Sequence, residues 1–187
     1  MTSNRYIAFH KPYGVVCQFS GEGDTLSDFD LPAQIYAAGR LDKDSEGLLI
    51  LTNDGPFIQR LTDPKSNKQK IYWVQVEGLP TEEALGQLRS GVLIKGKKTR
   101  QCEASLLDSI KINELVGERN PPVRFRKNKP TYWIEVTLRE GMNRQVRRSC
   151  AAIGFPCLRL IRVQIGKLKL GMLKPGKWLE VNPDDVL

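Results

Sequence analysis

The sequence predicts an α+β fold, with a mixed, mostly antiparallel β-sheet and flanking helices. Most of its apolar segments are short, and several carry β-branched or aromatic residues at alternate positions, as strands do. Only a few segments have the capping residues and the apolar spacing of helices. Strands outnumber the helices between them, which disfavours a doubly wound parallel sheet.

The N-terminal third contains three predicted strands. Runs 5–9 and 15–19 flank a Pro- and Gly-containing turn and predict a strand, a turn and a strand. The run 48–51 consists only of Leu and Ile between turn residues, so it predicts a strand that is buried on both faces. Pro56 then predicts the start of a short helix, because proline fits the first helical turn.

Caps, alternation and turn residues define the later elements. In order, they are a strand at 71–76, a helix from its cap Thr81 to its stop Gly91, a basic loop or hairpin tip at 111–130, a strand at 132–138, a helix from its N-cap Asn143 to Gly154, and strands at 158–165 and 178–181. We expect one catalytic domain of 1–187, in two subdomains of about 1–64 and 65–187.

Charge is distributed unevenly along the 187 residues, which carry a net charge of +8. Residues 1–60 hold 5 basic and 8 acidic side chains, whereas residues 61–187 hold 24 and 13. A basic folded protein usually has an acidic partner, so the last two-thirds are expected to bind it. No apolar run has the length of a membrane span and the N-terminus lacks a signal-peptide pattern, which predicts a cytoplasmic protein.

Several kinds of chemistry have no support in the sequence. There is no phosphate-binding P-loop, no complete dinucleotide-binding glycine pattern and no Gly-x-Ser-x-Gly motif. One histidine and four cysteines without a Cys-x-x-Cys pair do not make a standard zinc site. Any catalysis is therefore expected to depend on carboxylate, arginine and tyrosine side chains.

The first candidate segment is the acidic loop 39–47, Gly-Arg-Leu-Asp-Lys-Asp-Ser-Glu-Gly, directly before the buried strand. A rigid strand positions reactive groups on an adjoining loop well. The alternative is a simple turn in which Asp42 or Asp44 bonds the local backbone, as loop aspartates often do.

The second candidate is the predicted helix that begins Asn143-Arg144-Gln145-Val146-Arg147-Arg148. Its three arginines share one face, while Val146 and Cys150 share another that can pack on the sheet. No acidic residue lies between Gly141 and Gly154, so the arginines favour a phosphate or carboxylate partner over a merely solvated face.

The third candidate is Lys70-Ile71-Tyr72-Trp73 at the start of a predicted strand. An aromatic ring beside cations suits stacking on an unpaired base. Strand alternation puts Tyr72 and Trp73 on opposite faces, so one ring is expected to meet a ligand while the other packs in the core.

Together with Lys11-Pro12-x-Gly14 before them and Leu160-x-Arg162 after them, these segments resemble the RsuA/RluB/RluE/RluF branch of the pseudouridine synthases. Gly-Arg-Leu-Asp at 39–42 with Ser-x-Gly-Leu-Leu at 45–49 resembles the catalytic motif of that branch, and Asn-Arg-Gln-Val-Arg-Arg at 143–148 its second signature. The resemblance implies the pseudouridine synthase fold with a central RNA-binding cleft. Many branch members also carry an N-terminal S4 domain, for which this chain has no room.

The resemblance further implies conversion of a uridine of large-subunit (23S) rRNA to pseudouridine by a cytoplasmic monomer, without cofactor or metal. Asp42 is then the catalytic carboxylate, which attacks the ribose or assists departure of uracil. Tyr72 stacks on the base, and Arg147 is the ion-pair partner that keeps Asp42 ionised. The implied substrate-binding residues are Arg40, which fills the space of the flipped base or clamps its phosphate, and Leu41, Lys70, Asn143, Arg144, Gln145, Arg148, Leu160 and Arg162.

Two other functions fit parts of the sequence. A non-catalytic rRNA-binding ribosome-assembly factor would explain the basic region but not the acidic loop on a phosphate-binding surface. A glycoside or nucleoside hydrolase would use a second carboxylate, for which Asp44 or Glu46 are available. Basic residues of the 111–130 segment are expected to contact RNA phosphates, with simple solubility as the alternative.

Overall fold

A computed structural model of the chain describes residues 3–124 and 129–187. Arg126 and Lys127 of the predicted basic loop lie outside these residues. The strands are β1 Tyr6–Lys11, β2 Tyr36–Ala37, β3 Glu46–Thr52, β4 Lys70–Glu77, β5 Leu93–Ile94, β6 Lys97–Lys98, β7 Glu103–Leu106, β8 Thr131–Leu138, β9 Cys157–Ile165, β10 Leu168–Lys169 and β11 Trp178–Glu180. The α-helices are α1 Gly55–Thr62, α2 Glu82–Ser90, α3 Ser109–Val116, α4 Gln145–Ala152 and α5 Pro183–Val186, with short 3-10 helices at Leu26–Asp28 and Pro64–Ser66.

The chain divides into two compact units, and the boundary falls within β4 and β9. The first unit comprises residues 1–70 and 161–187, and the second comprises residues 71–160. The first boundary lies close to the expected one near residue 64. The C-terminal residues 161–187, which we expected to belong with the second part of the chain, group with the first.

The first unit is built on β3, all seven residues of which are buried. Leu49 and Leu51 belong to one apolar cluster, and Leu48 and Ile50 to another on the opposite face of the strand. The strand order is β11-β1-β3-β9, with β1 antiparallel to β3 and β9 parallel to it. The prediction of a strand buried on both faces is confirmed.

The second unit has one apolar core between its sheet and its helices. The strand order β4-β8-β7 includes the antiparallel pair β7 and β8. The core residues are Val74 and Val76 of β4, Ala84, Leu85 and Leu88 of α2, Ala104 of β7, Ile134, Val136 and Leu138 of β8, Val146 and Cys150 of α4, Ile153, and Leu160 of β9. With both units described, the predicted α+β class and the mostly antiparallel sheet are confirmed.

One predicted strand is wrong, and one predicted loop is wrong at its start. Residues 15–19 are not a strand, and within residues 3–124 and 129–187 their only ladder pairing is an isolated bridge between Val16 and Thr25. Segment 111–130 begins inside α3, whose N-cap Asp108 accepts hydrogen bonds from the backbone N–H of Ile110 and Lys111. Only Ile112 of this helix is buried, which is why the sequence shows almost no helical period there.

Candidate active site

The loop before β3 holds Asp42 in a tight turn. The backbone carbonyl of Asp42 accepts a hydrogen bond from the N–H of Ser45, with an N···O distance of 3.0 Å. The side chain of Leu41 packs in the apolar core at one end of this turn, and β3 begins at Glu46 at the other. Asp42 itself is half-buried. Both ends of the turn are therefore fixed, and Asp42 between them is partly exposed.

Lys11 is a buried cation of the same unit, at the end of β1. Its side chain has no solvent exposure. The Nζ atom donates to the carbonyl oxygens of Pro12 at 2.8 Å and Val15 at 2.7 Å, and lies 3.5 Å from that of Lys43. The backbone N–H of Gly14 also donates to the carbonyl of Lys43, at 2.8 Å. Lys11 thus fixes the segment after β1 and contacts the residue that follows Asp42.

Burial lowers the pKa of Lys11 from its ordinary 10.5 to about 8. The acidic groups of Cys17, Glu46, Asp44 and Asp42 act in the opposite direction but are weaker than the effect of burial. The acidic loop therefore has a cation within electrostatic reach inside its own unit. Lys11 belongs to one of the motifs that carried the family resemblance, but no residue pattern indicates that its ammonium is buried.

Cys17 makes a second connection to the loop. Its Sγ lies 3.2 Å from the carbonyl oxygen of Leu41, to which the thiol donates, and 3.3 Å from the backbone N–H that Leu41 donates to it. Both residues are buried in the same cluster. Both backbone groups of Leu41, its N–H and its carbonyl, are therefore bonded to the Cys17 thiol. No pattern in the sequence indicated this contact.

The other predicted residues of the first unit are Arg40, Lys70 and Arg162. Arg40 is exposed. Arg162 is buried, and its Nε donates to the carbonyl of Leu48 at 2.8 Å. The pKa of Lys70 is lowered, first by burial and then by the positive charge of Arg162. Lys70 and Arg162 therefore lie within electrostatic range of each other, and their charges repel.

The backbone of Arg162 lies very close to Gly47, the last residue of the acidic loop. In the parallel ladder between β3 and β9, Gly47 is paired with Arg162. A Cβ atom at residue 47 would lie only 2.3 Å from the carbonyl oxygen of Arg162, and the backbone there has φ +106°. Glycine is required at this position by both space and conformation.

In the second unit, Tyr72 and Leu160 belong to the same apolar assembly. Leu160 is buried in the core, and Tyr72 packs against that core while half-exposed. Trp73 is also half-buried, and its Nε1 donates to Glu135 Oε2 at 3.1 Å. As strand alternation predicts, the two rings have different surroundings, because Tyr72 packs against this core and Trp73 bonds Glu135. Which ring meets a ligand stays a prediction.

The signature helix α4 begins one residue later than predicted. Asn143 is not its N-cap; that position is occupied by Arg144, with a left-handed backbone and no side-chain cap. Asn143 Oδ1 instead accepts from Arg148 Nη2 at 2.9 Å. Gln145 is buried and bonds the preceding segment, accepting from the N–H of Met142 at 2.9 Å and donating to Glu140 Oε1 at 2.6 Å.

Arg147 lies half-buried on α4, against the start of β9. Its Nη1 donates to the carbonyl oxygen of Cys157 at 3.3 Å and lies 3.5 Å from the Sγ of that residue. Val146 and Cys150, on the other face of the helix, are in the core as predicted. The arginine is thus positioned by a backbone acceptor within its own unit.

Within residues 3–124 and 129–187, no cluster of three or more His, Cys, Asp or Glu side chains is arranged to hold a metal ion. The same residues include no helix that is long and apolar enough to span a membrane. Cys17, Cys102, Cys150 and Cys157 are not in disulfide bonds.

Comparison with known proteins identifies the family. A family model described as RNA pseudouridylate synthase matches residues 5–152, which include the Asp42 loop and the signature helix. The chain belongs to the RNA pseudouridylate synthase family. The predicted family is therefore confirmed.

Relatives within this pseudouridylate synthase family cover nearly the whole chain. A protein named ribosomal large subunit pseudouridine synthase E from Vibrio parahaemolyticus is 49% identical over 97% of this chain and 75% of its own length. A protein of the same name from Xanthomonas campestris pv. campestris is 50% identical over 92% of both chains. A crystal structure titled pseudouridylate synthase superposes with a TM-score of 0.81 at 28% identity, covering 100% of this chain and 74% of the other. These matches support the RsuA/RluB/RluE/RluF branch.

Proposed function

We propose that this chain converts a specific uridine of large-subunit (23S) rRNA to pseudouridine in the cytoplasm, as a monomer, without cofactor or metal, and that Asp42 is its catalytic carboxylate. Membership of the pseudouridylate synthase family supports the reaction. The relatives named large subunit pseudouridine synthase E support the class of RNA. The observation that carries the assignment to Asp42 is its position in the family motif, on a turn held by Lys11, Cys17 and β3.

The proposed reaction needs no water and no redox partner. The bond between ribose C1′ and uracil N1 breaks, and a bond between C1′ and C5 forms. C5 loses a proton and N1 gains one, so the atoms balance. The Asp42 carboxylate either attacks the ribose or stabilises the positive charge that develops there as uracil departs. Either role requires an ionised carboxylate on a fixed backbone, which the turn of the first unit supplies.

Arg147 and Tyr72 are proposed as the other catalytic residues, with Leu160 as an apolar wall of the site. Their positions in the family motifs support these roles. The contacts in the second unit are compatible with them, because Arg147 is oriented by the Cys157 carbonyl and Tyr72 packs beside the core that contains Leu160. Arg147 as the ion-pair partner of Asp42 would balance the charge of the carboxylate in the substrate-filled site.

The remaining proposed substrate contacts are basic or polar. Exposed Arg40 and Arg144 are accessible to phosphate or to the space of a flipped base. Lys70 and Arg162 repel each other in the absence of an anion, so an RNA phosphate near them would relieve that repulsion. Leu41, Asn143, Gln145 and Arg148 remain proposed contacts, although the structure gives each of them a role within its own unit.

Tritium release from RNA tests the proposal directly. A transcript of unmodified large-subunit rRNA made with [5-³H]uridine loses tritium when C5 forms its new bond. We expect release with the wild-type chain and a loss of more than about a thousandfold in Asp42→Asn, with RNA binding retained. Asp44→Asn makes the same charge change two residues away and is expected to keep activity.

Three outcomes would contradict the proposal. Equal activity in Asp42→Asn and the wild type would remove Asp42 from the mechanism. Binding of rRNA with no tritium release by the wild type would favour an assembly factor. Release of free uracil would indicate a hydrolase.

A further inference from the structure

A hairpin of the second unit carries a group of lysines that no motif explains. Strands β5 and β6 pair antiparallel, with Leu93 opposite Lys98 and Ile94 opposite Lys97. We define the basic hairpin as residues 93–100, whose cations are Lys95, Lys97, Lys98 and Arg100, all exposed. We propose that the basic hairpin binds the phosphate backbone of the RNA substrate. This inference rests on the proposed function and extends its RNA-binding surface.

Arg100 of the basic hairpin lies 3.9 Å from Glu140, whereas the charges of the three lysines are not neutralised in this way. Between Glu83 and Glu103 the sequence holds five basic residues and no acidic one. Within residues 3–124 and 129–187, no carboxylate lies within ion-pair distance of the three lysines. Like charges this close in sequence repel, so an external anion would stabilise them.

The tip of the hairpin places a lysine where the backbone disfavours one. Lys95 has φ +50° and Gly96 has φ +77°, so both central residues of the turn are left-handed, as in a type I′ turn. Asn-Gly is the preferred pair for this turn, and a side chain such as lysine costs about 1–2 kcal/mol there. A Cβ atom at Gly96 would meet no atom within 4 Å, so the tip projects into open space. A lysine at this strained and exposed position therefore favours a role in binding.

The base of the hairpin is firmly anchored. Ile94 is buried, and the backbone N–H of Thr99 donates to the carbonyl oxygen of Val92 at 2.9 Å. The Thr99 hydroxyl also accepts from the N–H of Val92 at 3.0 Å. Because the base is anchored, the backbone that carries the lysines has a defined position. Binding then costs only the ordering of the lysine side chains.

The basic hairpin is also connected to the signature helix. Strand β5 packs against α4. Glu140 Oε1 accepts from the backbone N–H of Arg100 at 2.8 Å and from Gln145 Nε2 at 2.6 Å, so one carboxylate bonds the end of the hairpin and the first turn of α4. The exposed Arg144 at the start of α4 adds to the same basic region. A strand of RNA that reaches Arg144 could therefore continue along the hairpin.

Lysine chemistry favours RNA phosphate as the partner. Lysine presents a compact charge on a flexible stem, which suits phosphate contacts that do not depend on base sequence. Each phosphate contact releases counterions, which gives the binding constant a steep dependence on salt. An acidic protein would also attract lysines, and the experiment below separates the two partners.

The test compares two variants that lose three positive charges each. The hairpin variant is Lys95→Asn with Lys97→Gln and Lys98→Gln, in which Asn-Gly suits the turn and preserves the hairpin. The control variant is Lys167→Gln with Lys169→Gln and Lys174→Gln, at exposed lysines of the first unit. The dissociation constant for an unmodified large-subunit rRNA transcript is measured from 50 to 300 mM KCl, and polyglutamate is titrated in parallel.

We expect the negative slope of log binding constant against log salt to become less steep by about 2 in the hairpin variant, since each lost contact removes about 0.7–0.9 from its magnitude. The control variant should change the slope by less than about 0.5. Single-turnover tritium release at saturating RNA should be the same in the hairpin variant and the wild type. Circular dichroism melting checks that both variants fold.

Equal slopes in the wild type and the hairpin variant would overturn the inference. So would an equal fall in both variants, which would reflect net charge alone, or polyglutamate binding as tight as RNA binding, which would indicate an acidic protein partner. Failure of the proposed function is a separate observation, because it is the absence of tritium release by the wild type at any salt concentration.

Discussion

The buried Lys11 makes stability depend on pH in a predictable direction. Its pKa is about 8 in the folded chain and 10.5 in its ordinary state. Below pH 8 the amine is protonated in both states. Between pH 8 and 10.5 the unfolded chain binds the proton and the folded chain does not, so the free energy of unfolding rises with pH across this window.

The expected size follows from these two pKa values. From pH 7 to pH 10, Lys11 should add about 2.5 kcal/mol to the free energy of unfolding, at about 1.4 kcal/mol per pKa unit. Replacing the lysine by methionine removes this dependence and leaves other titrating groups in place. The difference in unfolding free energy between wild type and Lys11→Met should therefore move by about 2.5 kcal/mol in favour of the wild type as pH rises.

Urea unfolding followed by circular dichroism, in the presence of a reductant for the four free cysteines, measures this difference at each pH. Lys65→Met removes an exposed lysine and is the matched control, for which we expect no change with pH. A wild-type to Lys11→Met difference that stays constant from pH 7 to pH 10 would refute the argument from burial.

Three further predictions follow from the loop, the arginine and the basic segment. Gly47→Ala should lower the free energy of unfolding by about 2–4 kcal/mol, because its Cβ would meet the Arg162 backbone. The control is Gly55→Ala, whose Cβ would have no atom within 4 Å. It should leave the free energy of unfolding unchanged in the same urea titration. If Arg147 acts through Asp42, single-turnover tritium release should be as slow in Asp42→Asn with Arg147→Ala as in Asp42→Asn alone, and an additional multiplicative loss would separate the two residues. Four basic residues of segment 111–130 can be replaced together by neutral ones: Arg124, Arg126, Lys127 and Lys129. The slope of log binding constant against log salt should then become less steep by nearly one unit per lost phosphate contact, whereas an unchanged slope would mean that these residues are only solvated.

Much of the fold could be predicted where local sequence and burial agree. The run 48–51 has only large apolar residues and forms the centre of β3, which is buried on both faces. Thr81 caps α2 through a hydrogen bond to the N–H of Ala84, and Gly91 ends the helix, as their types predict. In these segments the local residue pattern and the burial in the folded chain favour the same element.

The failures occurred where hydrogen bonds outside the regular pattern decide the structure. Residues 15–19 look like a strand, but the carbonyl of Val15 bonds the Lys11 ammonium, and Val16 bonds Asp24 across an irregular loop. Asn143 is a good N-cap type, yet its side chain bonds Arg148 and the helix starts later. In both cases a charged side chain competes for groups that the local pattern assigns to regular structure.

The roles of Asp42, Tyr72 and Arg147 were implied by the resemblance of their motifs to the pseudouridine synthases, and they stay predictions. The supporting contacts were not predictable, because they depend on burial. Nothing in Lys-Pro-x-Gly indicates that the lysine is enclosed, and the contact between Cys17 and Leu41 joins residues 24 apart in sequence. The lysines of the basic hairpin were missed because they match no motif and lie between two predicted elements.

The central claim is that Asp42 catalyses uridine isomerisation in large-subunit rRNA. The most direct measurement is a map of pseudouridines in an unmodified large-subunit rRNA transcript after incubation with wild type, Asp42→Asn or Asp44→Asn. We expect one new pseudouridine with the wild type and with Asp44→Asn, and none with Asp42→Asn. The same pseudouridine formed at the wild-type rate by Asp42→Asn would contradict the assignment of Asp42, and none with the wild type would contradict the proposed activity.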